Sequence, residues 1–175
     1  MPRRLISTAA ALLALTAAPA LAEVKSATPV GFEVGGSVAI SAPPARVWAV
    51  LTAPDDWWSR EHRWFRNSTL TLDLAAGGCW CEQAAGGRTA RHLETLLVEP
   101  GAKLILQGVL GPLIDQGVVG SAVFDIKAEG EGSILTWSYS VGGYTPGGLE
   151  AWARPVDGVL SAQLASLKTR AEAAD

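Results

Sequence analysis

The sequence predicts an α+β fold, a curved antiparallel sheet wrapped around a long C-terminal helix, with two short helices after the first strand. Three observations lead there. From Thr69 to Val141 apolar and polar residues alternate with a period of two, interrupted by glycine pairs and by Pro100-Gly101, which is the pattern of hairpin-connected strands buried on one face. From Leu149 onward the spacing of Trp152, Val156, Val159, Leu160, Leu164 and Leu167 changes to that of a helix with one apolar side. Ahead of both, a strand-like stretch at 33–41 runs into Ala42-Pro43-Pro44, and prolines suit a first helical turn because the N–H groups there have no intrahelical partner.

The N-terminus changes what the rest means. Arg3 and Arg4 precede an apolar run over 5–18, then Pro19, then the small-x-small tripeptide Ala20-Leu21-Ala22. This is the layout of a secretory signal peptide, with cleavage expected between Ala22 and Glu23. The run is too short for a membrane span, which needs roughly 20 apolar residues. No cysteine stands directly after the cleavage site, so lipid attachment is not expected. Residues 23–175 would then form one mature domain, periplasmic or secreted. The chain carries a formal net charge of −3 and becomes more acidic when Arg3 and Arg4 leave. With no basic clusters, nucleic acid and anionic membrane surfaces are not expected partners. Stable membrane insertion is not expected either, and the oligomeric state is left open.

Taken in order, the helix opened by Pro43-Pro44 has Ser41 as its expected N-cap and Val47, Trp48, Val50 and Leu51 as its apolar stripe. It should end near Pro54, and Asp55-Asp56 should cap a second short helix carrying Trp57 and Trp58. Strands follow from Thr69, over 79–83, 88–98, 103–109, 118–127 and 133–141. Gly77-Gly78 and Gly86-Gly87 serve as hairpin turns, and 111–116 reads as a loop. Pro155 predicts a kink or a restart of the last helix near Arg154. The first strand should pair with the last. A helix laid across a strongly curved sheet cannot meet it along its whole length, so a ligand cavity should open between them.

The segments ISAPPARVWAVLT, PDDWWS, GGCWCE and GGLEAWARPVDGVLSAQLASLK resemble the START-related SRPBCC superfamily, the helix-grip proteins. Within it the likeness is to polyketide cyclase/dehydrase-type proteins and homologues of heat-shock-protein-90 ATPase activators. It extends from about Phe32 to Lys168. The resemblance implies a bacterial helix-grip protein, in a superfamily that includes lipid carriers, hormone receptors and cyclases. The activator likeness alone would imply an interaction protein, but export separates such a protein from ATP and from the cytosolic chaperone.

Seven tryptophans stand among few other aromatics, and an indole offers a wide apolar face with a single N–H donor. Trp57, Trp58 and Trp64 fall where helix-grip proteins have the cavity mouth, and Trp80, Trp137, Tyr139 and Trp152 are expected inside. Glu82 or Tyr144 would supply a polar anchor. Glu82 shares a strand face with Trp80, so burial would raise its pKa and make it a candidate catalytic acid or base. On the opposite reading it is a surface residue paired with Arg91.

Cys79 and Cys81 lie on one side of their strand. With Gly86-Gly87 as a two-residue turn, Cys81 falls opposite His92 and Cys79 opposite Glu94. Three readings stay open for the pair: small packing residues, a disulfide, or, with His92, a metal site suited to zinc or copper(I). The run from Ser59 to Arg63 reads as solvated. No nucleophile elbow, phosphate-binding loop, His-Glu-x-x-His or dinucleotide fingerprint is present in the sequence, and no cofactor is expected. The function expected on these grounds is binding or carrying a small hydrophobic molecule. The alternative is a cyclase- or hydratase-type enzyme in the same cavity.

Overall fold

The computed structural model describes residues 23–174, so the expected signal peptide lies outside the described residues. Eight strands form one antiparallel sheet: β1 (Glu23–Thr28), β2 (Gly31–Ile40), β3 (Ser68–Leu72), β4 (Cys79–Ala84), β5 (Arg88–Glu99), β6 (Lys103–Gly108), β7 (Gly117–Glu129) and β8 (Gly132–Tyr144). Their spatial order is β1-β2-β8-β7-β6-β5-β4-β3. Two α-helices complete the fold, α1 (Pro44–Leu51) and α2 (Ala153–Glu172). This is the helix-grip architecture, with the last helix laid against the sheet. No helix among the described residues is long and apolar enough to cross a membrane.

The strand read at 33–41 is β2, and it pairs with β8 from Gly31 opposite Gly142 to Ile40 opposite Ser133. An extra strand, β1, lies outside it and makes the sheet edge. Its sequence EVKSAT is short and half polar, because an edge strand faces solvent over much of its length.

The helices differ from expectation in how they begin. Pro43, not Ser41, is the N-cap of α1, and no side chain caps it. The Ser41 N–H instead donates to Glu172 Oε1 at 2.7 Å, joining the start of α1 to the end of α2. Asp55 does not cap a helix carrying the tryptophan pair. Pro54–Asp56 is a single 3₁₀ turn, and the Asp55 carboxylate accepts the Leu70 N–H at 2.9 Å. At the other end, a 3₁₀ turn over Glu150–Trp152 precedes α2, so Pro155 sits in the first turn of α2. The helix restarts there and needs no kink.

One irregularity sets up the site. The β4–β5 turn takes three residues, Ala85–Gly87, with Gly86 and Gly87 at φ 76° and 74°, a region open to glycine at little cost. Ala84 therefore faces Arg88, and Cys81 faces Arg91 rather than His92. A bulge between Trp80 and Cys81 restores the register, so that Trp80 faces Leu93 and Cys79 faces Glu94. His92 is the extra residue. Its side chain turns inward beside that of Leu93, and two consecutive residues of β5 are buried, which an unbroken strand cannot do.

Candidate functional site

The space between the sheet and α2 is closed by aromatic packing. Trp80 on β4 meets Trp57 and Trp58 edge to face, with ring centroids 6.0 and 5.3 Å away, and those two meet each other at 5.6 Å. Such contacts add about 0.5–1.5 kcal/mol per pair beyond area burial. Trp137, Tyr139, Leu160 and Leu164 pack around them, leaving a void of about 10 Å³. That is room for one water at most.

Open space lies just outside this cluster. A cleft of about 590 Å³ is bounded on one side by Trp58, Glu61, His62, Arg63 and Trp64. On the second side is α2 and its entry, through Trp152, Pro155, Val156, Val159 and Leu160. Leu110, Gly111 and Pro112 close the third, and His92 reaches in from the sheet. The volume falls within the roughly 300–1,000 Å³ range of small-molecule sites, and so does the mix of apolar walls with few polar groups.

The 58–64 wall is held by buried polar contacts rather than by regular structure. Arg63 is only 7% exposed. Its guanidinium donates to the Asp55 carboxylate and to the carbonyls of Asp55, Trp58 and Ser68, at 2.5–3.0 Å. Burial pulls the Asp55 pKa up, but the Leu70 N–H and the Arg63 guanidinium outweigh it, and the carboxyl ends below its usual range. Gln163 of α2 ties the same wall to the helix. Its Oε1 accepts the Ser59 N–H and its Nε2 lies 2.7 Å from His62 Nδ1, both among the half-buried contacts of the wall. The amide nitrogen can only donate, so His62 Nδ1 is the acceptor. In the neutral ring the hydrogen then sits on Nε2.

Glu82 is 0% exposed and anchors the end of this wall. Its carboxylate accepts the N–H groups of Trp64 at 2.9 Å and Phe65 at 2.5 Å. It also lies 2.9 Å from His92 Nε2. Desolvation by burial pushes its pKa up. The Phe65 N–H, the neighbouring Ser68 hydroxyl, His92 and the Trp64 N–H together draw it below the usual carboxylate range, although the Ser68 oxygen completes no hydrogen bond in this structure. Glu82 is therefore an ionised acceptor, and His92 Nε2 is its donor. The other ring nitrogen of His92, Nδ1, is buried and has no partner.

The family profile described as polyketide cyclase / dehydrase and lipid transport matches residues 32–172. The chain belongs to this family. No curated protein matches the sequence significantly. Among solved structures, CalU16 from Micromonospora echinospora is 20% identical with a TM-score of 0.55, covering 81% of this chain and 76% of its own. Protein MLL2253 from Mesorhizobium loti is 20% identical with a TM-score of 0.57, covering 79% and 95%. Ara h 8.0201 is 10% identical with a TM-score of 0.54, covering 81% and 97%. At these identities the likenesses carry the fold alone, and they agree with the superfamily resemblance read from the sequence.

On this polyketide cyclase/dehydrase scaffold the sequence-derived candidates separate into three groups. Trp58, Trp64 and Trp152 line the cleft. Trp57, Trp80, Trp137 and Tyr139 surround the closed interior void instead. Tyr139 there holds the cleft loop in place, its oxygen accepting the Leu110 N–H at 3.2 Å. Burial pushes its pKa well above the usual phenol range against the opposing effect of that N–H, so it stays neutral. Tyr144 is 73% exposed at the end of β8 and does not line the cleft.

Two expectations about chemistry are corrected. Glu82 is buried rather than paired with Arg91, which bonds Glu94 on the surface. Its pKa is also lowered rather than raised, because N–H donors surround it. The set Cys79, Cys81 and His92 does not come together. The two cysteines form a disulfide with Cα atoms 5.3 Å apart, and the three-residue turn places His92 on the other face with Glu82. The disulfide leaves no thiolate to bind a metal. Sequence reasoning passed over His62, Arg63 and Asp55, because a run of charged residues has the same composition whether it is solvated or folded around a buried guanidinium. The one available signal was the acid–base pair, Asp55 and Arg63, flanking the two tryptophans.

Proposed function

We propose that this protein binds and carries a small apolar molecule in the cleft between α2, the 58–64 wall and the 110–112 loop. The observation that carries this reading is the cleft itself, about 590 Å³ of space beside an interior that tryptophan packing has closed. A flat molecule would lie against the Trp64 and Trp152 rings, and Val156, Val159 and Leu160 would exclude water from its other face. The family description, which joins polyketide cyclases and dehydrases with lipid transport, supports a ligand of this kind. Export to the periplasm or medium is part of the proposal. It is supported by the leader pattern at 1–22.

The test is native mass spectrometry of the mature protein from its own host, followed by denaturing mass analysis. A co-purifying apolar molecule that is lost on denaturation supports the reading. Val159→Trp, which fills the cleft from α2, should then yield the same folded protein without the adduct. An adduct undiminished in Val159→Trp would place the ligand elsewhere. A second reading, a cyclase- or hydratase-type enzyme working in the same cleft, is favoured by the unpartnered nitrogen of His92.

A further inference from the structure

We propose that His92 is the proton acceptor of the cleft, its Nδ1 receiving the hydrogen of a weakly acidic hydroxyl on the bound molecule, with Glu82 behind it as the positioning residue. The inference rests on the cleft being the ligand site and adds the chemical class of what enters it. An imidazole has two nitrogens, and Nε2–H of His92 is committed to the Glu82 carboxylate at 2.9 Å. In the neutral ring, Nδ1 then carries the lone pair. That atom is buried and unpartnered, on a residue that lines the cleft and is 8% exposed. A buried acceptor left unpaired is costly; the cleft wall covers Nδ1 in this structure, and a ligand hydroxyl that presses this wall aside would satisfy it.

The other polar groups facing the cleft have the wrong character for this task. His62 already accepts at Nδ1 from Gln163, so its Nε2 is a donor. Arg63 can only donate: its two terminal nitrogens are occupied by Asp55 and three carbonyls, and its Nε, buried without a partner, offers a hydrogen and no lone pair. Glu61 also borders the cleft and can accept, but it is exposed to water, so no buried lone pair there is left without a partner. Neither the α2 side, with Pro155, Val156, Val159 and Leu160, nor the loop with Leu110 and Pro112 brings a titratable group. The base is therefore a single imidazole held from behind by a carboxylate. In the transfer, the ligand O–H bond breaks and an N–H bond forms at Nδ1. The ligand becomes an oxyanion and the ring an imidazolium, which is hydrogen-bonded to both the oxyanion and Glu82. No co-reactant is needed.

The probes are 4-nitro-1-naphthol, whose visible absorption reports its ionisation, and the methyl ether of the same compound, which has no acidic hydrogen. Binding is followed by tryptophan fluorescence. The naphthol should bind about tenfold more tightly than the ether, and its ionised band should appear at a pH where the free compound is mostly protonated. His92→Phe and, as a less disruptive change, His92→Gln should abolish both the preference and the band. Glu82→Gln should weaken the band. Equal affinity for the two probes with no ionised band would overturn the role of His92 while leaving the cleft as a binding site. So would a preference that survives in both His92 variants. Failure of both probes to bind would sink the cleft reading itself, and this inference with it.

Discussion

His92 Nε2 lies 2.9 Å from Glu82 Oε2, on strands where a two-residue turn would have put the imidazole on the cysteine face. The three-residue turn at Ala85–Gly87 sets Ala90 opposite Glu82 and so brings His92, two residues on, to the same inner side. The same carboxylate holds the backbone of Trp64 and Phe65, so one buried side chain positions both the imidazole and one wall of the cleft.

Removing that carboxylate should be costly. Glu82→Ala leaves two backbone N–H groups and one imidazole N–H unpaired in the interior, and should lower stability by about 3–5 kcal/mol. Glu82→Gln keeps an acceptor oxygen and should cost about 1–3 kcal/mol. Urea unfolding midpoints of the two variants against the wild type check the order. Equal, negligible losses would mean that Glu82 does not hold the wall.

The same group makes the protein sensitive to acid. The folded-state pKa values of Glu82 and Asp55 are held below their usual values of 4.5 and 3.8. Their contribution is therefore present above those values and is lost as pH falls through the lower folded-state values. Unfolding free energy should be flat in this respect near neutrality and drop steeply below about pH 4.5. Glu82→Gln should show a shallower drop, measured by denaturant titration across the acid range.

The disulfide between Cys79 and Cys81 closes a very short loop. Loop-closure arithmetic gives such a cross-link only about 1–2 kcal/mol, because two residues so close in sequence lose little freedom when joined. The double variant Cys79→Ser/Cys81→Ser should fold normally with a loss of that size. A loss above 4 kcal/mol, roughly what long-loop bridges give, would mean that the bridge is needed to keep the bulge.

Two glycines should respond in opposite directions to alanine. Gly108 ends β6 at φ 142°, and a Cβ there would stand 2.4 Å from the His92 carbonyl oxygen. Gly108→Ala should cost about 1–3 kcal/mol and disturb the strand carrying His92. Gly158 lies inside α2 facing open space, so Gly158→Ala should stabilise by about 0.5–1 kcal/mol. Thermal unfolding of the pair checks both signs.

The strands from Thr69 onward were legible because their buried face repeats every second residue, and α2 because its apolar positions repeat at helical spacing. The edge strand β1 was not, since EVKSAT buries too little to leave a pattern. The register of β4 against β5 was hidden for a different reason. A Gly-Gly pair suits a two-residue turn and a three-residue turn alike, and one residue decides which face His92 takes. The closure of the interior was invisible too. Counting tryptophans reveals their area, but not whether they line a cavity or fill it. Trp80 and Trp137 fill it; Trp64 and Trp152 border the cleft.

The most direct test is therefore to watch all seven indole N–H resonances in the ¹⁵N-labelled protein as 4-nitro-1-naphthol is added. Binding in the cleft predicts that Trp64 and Trp152 shift strongly and Trp58 less, while Trp80 and Trp137 stay in place. Large shifts confined to Trp80 and Trp137 would mean that the ligand enters between sheet and helix after all, and would contradict the account.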